Sequence, residues 1–275
     1  MSMNVITETA RVGDREISLE TGKLAKQTNA IVIRCGGTAV LVSALSSREP
    51  KALPFLPLTV EYREPNYAGG KIPGGYFKRE GRPTDPEILS SRLIDRPIRP
   101  LFPKGYRFDT QIIATVISHD KVNEPDVLAI TAASAALMIS DAPWEGPIVG
   151  VRVARVGGRL IAFPTWEEIH QADITLVVAV SRDAIVMVEG GANQASEADM
   201  IDALMFAKEV AQPLIDAQHR LRERAGKPKR EFVPPAADAD LVADVFAHAE
   251  GAYRAALAIR GKHERHDALS AAGKA

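Results

Sequence analysis

The sequence predicts an α+β fold, mixed sheets with helices packed on them. Three observations carry this expectation. Apolar, β-branched-rich runs flank a short turn at three places along the chain. Those runs are nearly continuous in apolar character, as strands covered on both faces are. Between them lie segments with helical periodicity and terminal capping signals.

The first pair of runs is residues 30–35 and 38–44, around Gly36-Gly37. A two-residue hairpin turn is expected there, with both glycines at positive φ. Residues 58–62 read as another short strand. Residues 85–101 read as a helix that Pro97 and Pro100 should end early, because proline donates no N–H and its ring crowds the preceding turn. Residues 126–139 are small, apolar nearly all round and helical in length, which predicts a helix buried against a sheet. Residues 149–156 and 159–163 flank Gly157-Gly158 as a second hairpin. Residues 174–180 and 184–188 form a third, around Ser181-Arg182-Asp183. Glu167-Glu168 should lie on a short solvated helix after Thr165. Ser196 and Asp199 resemble a capping box with Asp in place of Glu. They open a helix expected to carry Ile201, Leu204, Met205, Ala211, Leu214 and Ile215 on one face, kinked at Pro213 and ended by Gly226 and Pro228.

A shift in composition follows. Residues 227–237 are charged and proline-rich, as a linker would be. Residues 238–260 are alanine-rich and amphipathic, and the polar tail after Gly261 is expected to fray. The predicted organisation is a core at 1–226, a linker at 227–237 and a small helical unit at 238–275.

Of the 275 residues, 46% are hydrophobic and 25% charged, which is ordinary for a chain that buries a sizeable core. The net charge of −1 gives no global basic field, so nucleic-acid contact has to come from a local cluster. The single cysteine, Cys35, excludes an intramolecular disulfide and a cysteine-based zinc site. No apolar stretch reaches the ~20 residues that span a bilayer, and the first residues lack the apolar core of a secretory signal. The expectation is a cytoplasmic chain with no membrane partner.

The densest local signal is the stretch from Tyr67 to Pro83, with glycine pairs Gly69-Gly70 and Gly74-Gly75. Tyr76 and Phe77 adjoin Lys78, Arg79 and Arg82. Aromatic faces stack on bases while adjacent cations neutralise phosphates, which is what single-stranded nucleic acid requires. A solvated glycine-rich surface loop is the competing reading. A P-loop does not fit, because Lys71 is not followed by Ser or Thr. Arg92, Arg96 and Arg99 then recur at four and three residues, which places them on one helical face, about a turn apart. Guanidinium forks so arranged suit successive backbone phosphates, and ion pairing to Asp95 and Glu87 is the alternative. His119, His170, His263 and His266 are scattered without metal-ligand spacing, and no nucleophile–base constellation stands out.

Three stretches, 55–62, 67–83 and 92–102, closely resemble the polynucleotide phosphorylases. The resemblance covers nearly the whole chain and matches the amino-terminal portion of that family. It implies a first ribonuclease-PH-like core, followed by a partial all-helical domain. It further implies a homotrimeric ring around an RNA channel and possible membership of an RNA-degradation complex. The family's reaction is phosphorolysis: inorganic phosphate attacks the 3′ end of RNA and releases nucleoside diphosphates, assisted by a divalent metal such as Mg²⁺.

In that family the loop matching Tyr76, Phe77, Lys78 and Arg79 lines the channel constriction. The arginines matching Arg92 and Arg96 hold RNA near the neighbouring core's active site, with Arg99 next on that face. The resemblance also implies that catalysis and metal binding belong to a second core outside this chain. The family's tandem serine is matched here by Ala133-Ser134, and its metal-binding acid and catalytic lysine by Thr175 and Val177. Two other readings stay open: a stand-alone, non-catalytic RNA-binding ring subunit, and a phosphate- or nucleotide-binding enzyme using Ser134 and the glycine-rich loop.

Overall fold

The structure is a computed structural model that describes residues 5–75, 81–234, 236 and 238–274. It divides into two compact units, residues 1–232 and 233–275. In the first unit, β1 (Ile6–Val12), β2 (Arg15–Thr21), β3 (Asn29–Cys35) and β4 (Thr38–Pro50) run as an antiparallel meander. Strand β6 (Phe108–Ser118) pairs antiparallel with β4 on one side and parallel with β5 (Leu58–Arg63) on the other, giving the order β1-β2-β3-β4-β6-β5. Parallel neighbours need a crossover, and here it carries α1 (Asp85–Ile98). A second sheet has the order β10-β9-β7-β8, built from β7 (Val149–Val156), β8 (Arg159–Ala162), β9 (Ile174–Val180) and β10 (Ile185–Ala192).

Helix α2 (Pro125–Ile139) packs on β3 and β4 of the first sheet and on β7 of the second. Every one of its residues except Asp126 is buried, as its uniformly apolar sequence requires. Close approach to the second sheet depends on Gly150. A Cβ there would lie 2.8 Å from the Val127 carbonyl oxygen, and the Gly150 N–H donates to Thr131 Oγ1 at 3.1 Å. A short helix, α3 (Trp166–Gln171), follows Thr165 and opens with a capping box to Glu168. The Ser196–Asp199 box opens α4 (Glu197–Val210). Helix α5 (Gln212–Ala225) packs on β1 and β2.

The structure corrects several expectations. Only Gly36 has positive φ (57°) in the first hairpin turn; Gly37 does not, so this turn is not the doubly left-handed kind found at Gly157-Gly158 (57° and 79°). Helix α1 does end short of Leu101, at Ile98, but Pro97 itself stays inside it. It lies in the last turn, where one lost backbone bond is cheap, and its ring is buried beside Ile94 and Ile98. A 3₁₀ turn, Arg99–Leu101, then carries the chain off. The helix after Ser196 is not one kinked rod but two helices broken at Ala211, with Pro213 in the first turn of the second, where its missing N–H does no harm. Its apolar face differs from the expected one in part: Leu204 packs against the core and Ala211, Leu214 and Ile215 are buried as expected, but Ile201 and Met205 are exposed, and Ala203, Ala207, Met200, Phe206 and Val210 complete the contact.

Beyond Ala225, residues 227–232 are held by specific bonds. Lys229 donates to the Leu137 and Ser140 carbonyls at 2.7 and 2.8 Å, at the end of α2. Arg230 donates to the Ser47 carbonyl and lies over the Phe108 ring. In the second unit, α6 (Ala239–Leu257) is capped by Asp238, which accepts from the Asp240 and Leu241 N–H groups. The tail after Gly261 does not fray: α7 (Lys262–Ala272) packs on α6. Among the described residues no helix is long and apolar enough to cross a membrane.

Candidate nucleic-acid interface

Tyr76, Phe77, Lys78 and Arg79 lie outside the described residues. Before them, a 3₁₀ turn at Asn66–Gly69 is ended by Gly70 in the left-handed region (φ 70°). After them, the Gly81 carbonyl accepts from Arg63 at 2.7 Å. Arg82 is exposed there and lines an open cavity of about 540 Å³ together with Arg63 and Glu87.

The start of α1 is fixed by Glu87. Its carboxylate accepts from the Thr84 N–H and hydroxyl at 2.7 and 2.9 Å and from the Glu64 N–H at 2.9 Å. Burial pushes this carboxyl up, but those donors outweigh it and hold the group below its ordinary value. Leu93, Ile94, Pro97 and Ile98 bury one stripe of the helix, which leaves the arginines outside. Arg92 is exposed and makes no hydrogen bond or ion pair among the described residues. Arg96 donates to Glu189 on β10 at 2.8 Å. Arg99 turns elsewhere: it grips Asp95 at 2.6 Å and donates to the Leu56 and Leu58 carbonyls at 3.1 and 3.2 Å. The even row of three guanidiniums suggested by spacing is therefore two neighbouring cations and a third committed to the loop before β5.

Beside Arg96 lies a cleft of about 300 Å³ between α1 (Leu89, Ser90, Leu93) and the strands carrying Thr175, Val177, Glu189 and Gly190. Asp126 and Arg152 close it. Arg152 is ion-paired to both Glu124 and Asp126, the latter at 2.9 Å. Burial, with the Asp126 charge added, pushes the Glu124 carboxyl up to about 7 against the pull of Arg152. Sequence reasoning missed this cluster; Glu124-Pro125-Asp126 ahead of an apolar helix was the only trace of it. Ser134 is elsewhere and fully buried. Its hydroxyl donates to Gln218 at 2.6 Å and accepts from the Ile148 N–H at 2.9 Å, so it is spent on the core.

The architecture, two sheets enclosing a buried helix, is that of an α+β, ribonuclease-PH-like fold. It matches the crystal structure of rice (Oryza sativa) Rrp46 with a TM-score of 0.62 over 75% of this chain and 94% of that one, at 14% identity, a likeness of fold alone. Residues 13–143 match domain 1, and residues 146–210 domain 2, of the 3′ exoribonuclease family. The chain belongs to that family. It is 56% identical over 270 residues to the polyribonucleotide nucleotidyltransferase of Sorangium cellulosum, covering 98% of this chain and 36% of that protein. Those of Geotalea uraniireducens (52% over 261 residues) and Myxococcus xanthus (53% over 267) match 94% and 96% of this chain, and 38% and 37% of their own lengths. The chain thus spans a little over a third of the length of these relatives.

Proposed function

We propose that this chain is the first-core part of a 3′-to-5′ phosphorolytic exoribonuclease acting in mRNA degradation in the cytoplasm. Its own task is to guide single-stranded RNA and to build a trimeric ring, while a second core converts RNA and phosphate to nucleoside diphosphates. Residues 1–226 form the core, 227–237 the linker and 238–275 the start of a helical domain. The observation that carries the reading is the exposed Arg92 guanidinium, unpaired among the described residues, beside Arg96 on the exposed side of α1, next to a cleft. Both cations stand where a phosphate backbone can reach them. Tyr76, Phe77, Lys78, Arg79 and Arg82 supply stacking and charge at the channel neck, and Arg99 steadies the end of the helix.

The cleft's own residues do not fit the family's metal. Thr175 and Val177 offer neither carboxylate nor amine, Asp126 is held by Arg152 and Glu189 by Arg96, and no group of three ligating side chains suits a metal ion among the described residues. Mg²⁺ and the attacking phosphate are assigned to the second core. What this chain contributes is electrostatic positioning. The test is fluorescence anisotropy of a labelled oligoadenylate with the 275-residue chain. Arg92→Ala with Arg96→Ala should weaken binding and flatten its salt dependence, and unchanged affinity with an unchanged salt slope overturns the reading. Release of nucleoside diphosphates from RNA and phosphate by this chain alone would overturn the assignment of catalysis to the second core.

A further inference from the structure

Arg99 points away from the Arg92–Arg96 pair and into a second feature. A pocket of about 200 Å³ lies between the loop carrying Phe55 and the turn carrying Lys104 and Arg107, and no acidic residue lines it. Phe55 is 60% exposed, a large aromatic left in water on a short loop between Pro54 and Pro57. Prolines at both ends restrict that loop, and Arg99 fastens it through the Leu56 and Leu58 carbonyls, with Asp95 balancing the charge. The floor is the stacked pair Phe102 and Tyr106, both buried, with centroids 5.4 Å apart. Lys104 and Arg107 are exposed and make no ion pair among the described residues, whereas neighbouring Lys51 is neutralised by Asp109 at 2.6 Å.

We propose that this pocket binds one nucleotide unit, the base stacked on the Phe55 ring and the phosphate held between Lys104 and Arg107. An exposed, rigidly presented aromatic face beside two cations unpaired among the described residues, with no acidic side chain among the described lining residues, meets both requirements of a nucleotide. The chemistry is shared by a nucleotide within an RNA strand and by a free nucleoside diphosphate. Arg99 is a positioning residue here, acting through the loop it fastens.

The experiment uses the 275-residue chain carrying Phe55→Trp, titrated separately with ADP and with pentaadenylate while indole fluorescence is followed. Saturable quenching is expected. Adding Lys104→Gln and Arg107→Gln should weaken it by about fivefold or more, the lesser end of what one recognition contact contributes, and reduce its salt dependence. Adding Arg92→Ala and Arg96→Ala instead should leave ADP quenching unchanged, so failure of the α1 reading and failure of this one are separable. Quenching by both probes identifies a general nucleotide site, by ADP alone a site for the free diphosphate, and by pentaadenylate alone a strand contact. Absence of quenching by either probe at millimolar concentration, or quenching indifferent to Lys104→Gln with Arg107→Gln, overturns the proposal. So does a Phe55→Ala chain whose sedimentation mass falls while ADP binding by calorimetry stays unchanged, since the patch would then be a contact between copies.

Discussion

Arg96 on α1 donates to Glu189 on β10 at 2.8 Å, joining two elements of different layers, and both side chains remain about half exposed. Exposed ion pairs contribute only about 0–1 kcal/mol, so Arg96 can exchange Glu189 for a phosphate at little loss. Among the described residues Arg92 has no such partner to give up. Glu189→Gln should therefore tighten binding of short RNA about two- to fivefold at low salt, by releasing Arg96 and removing a nearby negative charge. Arg92→Ala should weaken binding more than Arg96→Ala. Anisotropy titrations at two salt concentrations check both, and weaker binding by Glu189→Gln would show that the carboxylate orients Arg96 instead of competing for it.

Ser134 joins α2 to Gln218 on α5 and to the Ile148 N–H, with no exposure to solvent. Ser134→Ala leaves a buried amide and a buried N–H short of a partner and should lower stability by about 1–3 kcal/mol. RNA affinity of the folded protein should not change. Urea denaturation and an RNA titration on the same sample separate the two effects.

Glu124 gives a pH dependence of definite sign. Its carboxyl is raised from the ordinary 4.5 to about 7 by burial and by Asp126. Between those values the folded state holds a proton that the unfolded state has released, so stability falls as pH rises through that window. The loss from this group is on the order of 1–3 kcal/mol. Glu124→Gln cannot titrate, so its urea midpoint should decline less than the parent's between pH 5 and pH 8. Parallel declines would contradict the assignment.

Glu87 runs the other way. Burial alone would raise it, but donors from Thr84 and Glu64 depress it, so its stabilising effect is present at neutral pH and is lost on acidification through its lowered value. Glu87→Gln should lower stability by about 1–2 kcal/mol at pH 7. The difference from the parent should narrow toward pH 3, as followed by circular dichroism in urea.

Much of this was legible because the signals were local. The Ser196–Asp199 box, the apolar run of α2 and the glycine turn at 157–158 each specify their own conformation within a few residues. Strands β1 and β2 were not legible. Glu8 falls on the same face as Ile6, Ala10 and Val12, and the other face carries Arg11, Glu16 and Glu20, so the apolar period is faint. The face formed by Arg92 and Arg96 could be read from helical spacing, but the fate of Arg99 could not. Its carbonyl partners lie 43 and 41 residues away, and Glu189 lies 93 residues from Arg96. Spacing says which side of a helix a guanidinium leaves from; only the tertiary neighbours decide where it ends.

The parallel pairing of β5 with β6 carries a kinetic consequence. Strands β1 to β4 find their partners across short turns, so the meander can assemble early. Leu58 meets Thr110 only after more than fifty further residues exist, and everything proposed to touch RNA on α1 lies within that interval. On a ribosome, the proposed RNA face of this core would be ordered after the β1–β4 meander, and a nascent chain stalled before Ser118 would present those cations on an unanchored segment.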